Sequence, residues 1–184
     1  ITNTTGIGNV ALGHNSLYAN TTADNNTAVG TNSLISNTTG TLNTAVGANA
    51  LATNVSGGDN VAVGNNALTV STGSRNTALG YNAMTDTTSG QDNTAVGFGS
   101  LGNNTTASNN TAVGRSALAA NTTGTQNVAV GKDGLFTNTT ASYSTAVGYQ
   151  ALYTNNGTTN TAVGHSALFN NTSATSNVAI GSAA

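Results

Sequence analysis

The 184-residue chain contains no cysteine, proline, tryptophan or glutamate. Without cysteine there is neither a disulfide framework nor a thiolate metal site. Its only lysines and arginines are Arg75, Arg115 and Lys132. So few cations leave no electrostatic footprint for nucleic acid or an anionic membrane surface. Charged residues make up 4% of the chain, against about 25% in a typical soluble domain. Aromatic residues also make up 4%, and no apolar run approaches the roughly 20 residues of a membrane span.

Asparagine (30), threonine (35) and glycine (23) fill the space instead. Such a composition fits disordered low complexity, but the order of the residues argues against it. The string Asn-(Thr/Val)-Ala-(Val/Leu/Ile)-Gly begins at Asn9 and recurs at Asn26, Asn43, Asn60, Asn76, Asn93, Asn110, Asn127, Ser144 (where Ser replaces Asn), Asn160 and Asn177. The spacing is 17 residues, shortened to 16 from Asn60 to Asn76 and from Ser144 to Asn160. With that first residue as position 0, position 2 is always Ala, position 4 always Gly, and position 8 always Leu except Met84. Identity at a few places with drift elsewhere is the mark of a solenoid, whose turns pack only on their neighbours.

Seventeen residues are too few for a two-helix repeat, and apolar positions 3 and 8 make no helical stripe. Thr-Ala-Val suits a pleated strand. The following Gly can take positive φ or admit a neighbouring backbone. Asn-Thr-Thr is turn chemistry. The expected fold is all-β: a parallel β-solenoid of about ten 17-residue coils over residues 1–184. Each coil is expected to hold one strand at positions 1 to 3 and a second at roughly 6 to 9. Ten coils at about 4.8 Å each make a rod about 48 Å long. The position-0 Asn side chains are expected to ladder along it. Val and Leu are expected inside the coil, with the invariant Ala facing a partner chain. So thin a core favours several chains side by side, three above all. A chain that starts and ends mid-repeat, with no capping turn, is expected to be a piece of a longer fibre protein.

The segment Asn177-Val178-Ala179-Ile180-Gly181-Ser182-Ala183-Ala184 resembles the head repeats of trimeric autotransporter adhesins of the YadA type. The Asn-Thr-Ala-Val-Gly units resemble the repeat arrays of bacterial surface fibres and phage tail fibres. The resemblance covers the whole chain. It implies a left-handed parallel β-roll, three chains about one axis, and a place outside the cell, on its surface or on a virion. The units here are longer than those head repeats, so each turn carries a longer loop.

Motifs for chemistry are weak. Gly97-Phe98-Gly99-Ser100-Leu101-Gly102 satisfies the dinucleotide spacing GxGxxG, but that fingerprint needs a strand, a helix and a distant acid. Here it arises because position 6 is Gly in one coil. Asp24, Asp59, Asp86, Asp92 and Asp133 fall at different repeat positions, whereas acid–base catalysis needs two groups at fixed separation. His14 and His165 lie nine coils apart. No enzyme, cofactor or metal is expected. The best candidate surface is a stripe at position 5, Arg115, Lys132, Tyr149 and His165, beside a position-9 ladder, Phe136, Tyr153 and Phe169. Cations and aromatics of this kind suit glycans.

The expected function is a structural and adhesive fibre segment that associates with itself and meets a surface glycan or host receptor. Recurrent Thr also admits an ice-binding solenoid, although Val10, Val61, Val128 and Val178 interrupt the position-1 column. A phage tail-fibre segment binding host glycan is the other alternative.

Overall fold

A computed structural model describes residues 2–184. Position 1 to 3 of every copy forms a three-residue strand: β1 (Val10–Leu12), β2 (Thr27–Val29), β3 (Thr44–Val46), β4 (Val61–Val63), β5 (Thr77–Leu79), β6 (Thr94–Val96), β7 (Thr111–Val113), β8 (Val128–Val130), β9 (Thr145–Val147), β11 (Thr161–Val163) and β13 (Val178–Ile180). These eleven make one parallel sheet in chain order. Equivalent residues pair throughout, Ala28 with Ala45 and Ala112 with Ala129 for example. The 16-residue coils keep register, since Ala62 pairs with Ala78 and Ala146 with Ala162. The chain is a parallel β-solenoid, and no described residue is helical.

The second strand expected at positions 6 to 9 is not there. That stretch is a turn, and the only other sheet among the described residues pairs β10 (Thr154–Asn155) with β12 (Asn170–Asn171), at positions 10 and 11. Positions 6 and 8 both take positive φ, as at Asn32 (57°) and Leu34 (49°), which an extended strand does not allow. Neighbouring coils still bond through this stretch, Leu34 N–H donating to the Ala50 carbonyl at 3.0 Å. The conformation explains the choice of side chain. Position 8 is Leu or Met, never Val or Ile, because a β-branched residue at positive φ is a genuine outlier.

Each coil is filled by its position-2 Ala, its position-8 Leu or Met, and the small residue at position 7, with Ala45, Leu51 and Ala50 all at 0% exposure. This corrects the expected facing. Alternation along a strand puts positions 1 and 3 on the face opposite position 2. Ala therefore points into its own coil, and Val points out. The interior is too narrow for a branched side chain from the sheet and a Leu from the turn at one level, so Ala and Leu share it. Gly at position 4 is required twice over. Gly114 has φ 130°, and a Cβ there would come within 2.7 Å of the Gly131 carbonyl of the next coil.

Two further columns complete the interior. The position-0 Asn side chains bond from coil to coil as expected, Asn93 Nδ2 donating to Asn76 Oδ1 at 3.1 Å. Position 11, mostly Asn, forms a second ladder, as in Asn121 Nδ2 to Asn104 Oδ1, 3.1 Å. In the coils where both positions are Asn, the two meet on one carbonyl. Asn110 Nδ2 and Asn121 Nδ2 both donate to the Gly124 oxygen, each at 2.9 Å. The buried Asn side-chain nitrogens are thus hydrogen-bonded, as burial demands.

Candidate surface columns

Every outward position of the repeat becomes a column parallel to the rod axis, because coils stack in register. Positions 1 and 3 make two adjacent columns on the outer face of the sheet. Position 3 is aliphatic in all eleven strands, from Leu12 to Ile180. Mid-rod members range from half-buried, as at Val46, Val63, Val96 and Val113, to exposed, as at Leu79 (45%) and Val130 (38%). Position 1 holds seven Thr and four Val.

The position-5 residues singled out from sequence do come together. Tyr149 and His165 stack with ring centroids 5.4 Å apart, and Lys132 Nζ sits 5.3 Å from the centre of the Tyr149 ring. Lys132 also lies 3.6 Å from the Asp133 carboxylate. The stripe extends further than proposed. The Arg115 guanidinium stands 5.7 Å from the Phe98 centroid, and Phe98 stacks on Tyr81 at 5.4 Å. Tyr81 and Phe98 occupy the same repeat position, so register alone was the signal for them.

The position-9 ladder is equally regular, with Phe136 on Tyr153 at 5.2 Å and Tyr153 on Phe169 at 4.9 Å. Ring planes lie within 5–19° of parallel in all four stacked pairs. This geometry limits what the columns can do. Stacked rings turn their faces along the rod toward each other and their edges outward. A face free for a ligand exists only at the end of a run.

One coil differs. At positions 6 and 9, Gly99 and Gly102 replace side chains that the other nine full repeats all possess. The result is a groove of about 290 Å³ walled by Asn82, Thr85, Asp86, Phe98, Asn103 and Ala119. A surface ladder also ends there. Asn15, Asn32, Asn49, Asn66 and Asn82 are linked Nδ2 to Oδ1 at 3.1–3.2 Å, each donating to the next coil.

The strongest ion pair lies elsewhere. Arg75 clamps Asp92 of the following coil with Nε–Oδ1 at 2.7 Å and Nη2–Oδ2 at 3.0 Å, and its Nη2 also donates to Gln91 Oε1 at 2.8 Å. The hydrogen bond from Arg75 holds the Asp92 carboxyl below the usual carboxylate range. The same bond raises Arg75. Among the described residues no group of three or more His, Asp or Glu side chains could hold a metal ion. No helix among them is long and apolar enough to cross a membrane.

Comparisons of this chain with protein-family models, with curated proteins and with solved structures find no match, so its fold and its columns are the guides to what it does.

Proposed function

We propose that the chain is a structural and adhesive segment of an extracellular fibre, on a cell surface or a virion, in which three copies pack through the outer face of the sheet. The observation that carries this reading is the double column at positions 1 and 3. Eleven strands present it without a break. At β-sheet spacings it covers roughly 50 Å by 10 Å, about 500 Å². With one column aliphatic throughout and the other Thr or Val, it has the extent of the surface patches that are often functional on soluble proteins. The stripe is only two side chains wide, which suits convergence of narrow faces about one axis, and the resemblance to trimeric adhesins implies three. The partner-facing residues in this reading are Thr and Val, not the Ala expected from sequence.

Such a rod works mechanically. Bending it breaks bonds between coils, so it holds a tip away from a surface. The outward columns then meet glycan or receptor through many weak contacts that add by multivalency.

Sedimentation of the purified chain is the test. The expected mass is three times 17.9 kDa. Val96→Lys together with Val113→Lys, which puts two charges in mid-stripe, is expected to yield monomer with unchanged circular dichroism. A wild-type monomer would overturn the bundle. A second reading, ice binding, draws on the same face, because seven Thr stand in one outward column. The neighbouring column has no hydroxyl, so no thermal hysteresis is expected. A pronounced hysteresis would favour ice over the fibre.

A further inference from the structure

We propose that the groove floored by Gly99 and Gly102 is a seat for one pyranose ring of a glycan. The proposal deepens the adhesive half of the fibre reading, and its site lies apart from the sheet face that holds the bundle.

The two glycines are not needed by the backbone. Position 6 takes φ of 53–60° in every full repeat, and Asn, Ser, Asp and Gln all adopt it elsewhere in this chain. A Cβ at Gly99 would meet nothing within 4 Å. A Cβ at Gly102 would approach only the Gly99 carbonyl oxygen closer than 3.9 Å, at 3.3 Å, and Thr occupies that repeat position at Thr69 and Thr85. What the glycines do together is open space. The GxGxxG spacing has this consequence, and no phosphate loop is involved.

The walls carry polar groups that are not used up within the protein. The Asn ladder runs with each amide nitrogen pointing to the next coil, and Asn82 is its last member. Gly99 offers no oxygen, so Asn82 Nδ2 has no acceptor among the described residues and points toward the groove. The Asp86 carboxylate has no hydrogen-bond donor there, and the exposed Asn103 side chain makes no bond there either. A carboxylate and two amides supply both acceptors and donors, which is what vicinal hydroxyls require. Position 9 runs Gly102, Ala119, Phe136 in successive coils. One face of Phe136 is covered by Tyr153. Its other side looks down the column onto Ala119, so Phe136 stands behind the groove wall and does not line it. The apolar wall is the Phe98 ring with the Ala119 methyl, against which an apolar face of a sugar ring fits. At about 290 Å³ the groove lies at the lower limit of ligand pockets, the scale of a single ring.

The experiment is saturation-transfer NMR and titration of the full chain with methyl β-galactopyranoside, methyl β-glucopyranoside and methyl α-mannopyranoside. At least one is expected to bind with Kd on the order of 1 mM. Gly102→Thr and Gly99→Asn restore side chains found in neighbouring coils, so they keep the fold while filling the groove. Each is expected to weaken binding at least about tenfold. Phe98→Leu leaves the groove open and is expected to weaken binding through loss of the aromatic wall. Failure of all three glycosides to bind, or wild-type affinity in both glycine variants, would overturn the seat. Sedimentation in parallel separates the two readings. A monomer that binds sugar keeps the seat and removes the bundle, and a trimer that binds none does the reverse.

Discussion

The two buried asparagine ladders look alike and respond differently to serine. At position 0, Ser144 replaces Asn and the column continues. At position 11, Ser71 and Thr87 replace Asn, and Asn54 Oδ1, Ser71 Oγ and Thr87 Oγ1 are left buried without a partner. The difference lies in what each side chain bonds. In the first ladder the backbone N–H of each coil donates to the side-chain oxygen of the coil before, at 2.9–3.1 Å between Asn9 and Ser144. Backbone is always present and always in register. Ser144 therefore still donates its N–H to Asn127, and its Oγ accepts from Asn160 N–H at 3.3 Å. In the second ladder the link between coils is amide to amide, as from Asn138 to Asn121 at 3.1 Å. A hydroxyl is too short to span it. A column anchored on backbone tolerates a shortened side chain, and a column of side chains alone does not.

The largest effect should come from breaking the first ladder. Asn93→Ala leaves the buried Asn110 N–H without its acceptor and removes the side-chain bonds to Ala107, Asn76 and Asn110, although the Ala107 carbonyl keeps its bond from Asn104. At about 1–3 kcal/mol for the unpaired N–H and roughly 0.5–1 kcal/mol for each of the three other bonds, the loss is about 3–5 kcal/mol, read by denaturant unfolding. Asn121→Ala strips bonds to Asn104 and Gly124 from the second ladder, and roughly 2–3 kcal/mol is expected.

Serine variants sharpen the contrast. Asn93→Ser should cost less than half of Asn93→Ala, whereas Asn121→Ser should cost as much as Asn121→Ala. Equal penalties at both sites would refute the backbone-anchor account. Repair is the converse. Ser71→Asn with Thr87→Asn restores the missing links, and stabilisation by about 1–2 kcal/mol is expected in the same measurement.

The smallest effect concerns the outside of the same gap. Arg75 and Asp92 belong to the coils of Ser71 and Thr87, and their two-pronged bond joins those coils where the second ladder is broken. The folded state depresses Asp92. Its contribution is therefore present above the unfolded carboxyl value, near pH 4, and lost as pH falls through the lower folded value. Asp92→Asn should remove a small part of the acid-side fall in melting temperature. The pair is exposed, so added salt should shrink that part further.

Much of the fold was legible because the repeat is so strict. Eleven copies of one pentapeptide placed eleven strands and their register, and register by itself brought Arg115, Phe136 and His165 into columns with their neighbours. The turn was not legible. Leu at position 8 reads as a strand residue until its positive φ is known, and Thr-Ala-Val shows alternation without showing which side is inside. Only the closed coil decided that. Its interior admits an Ala and a Leu at each level, so Val is turned outward and becomes the exposed stripe. The groove at Gly99 and Gly102 was likewise invisible as a site, since two missing side chains make a space only when the walls around them are in place. Sequence periodicity determined which residues stack along the rod, because stacking follows from identical repeats. The tertiary structure decided which side of each stack faces water, because that depends on how much volume one turn of backbone can enclose.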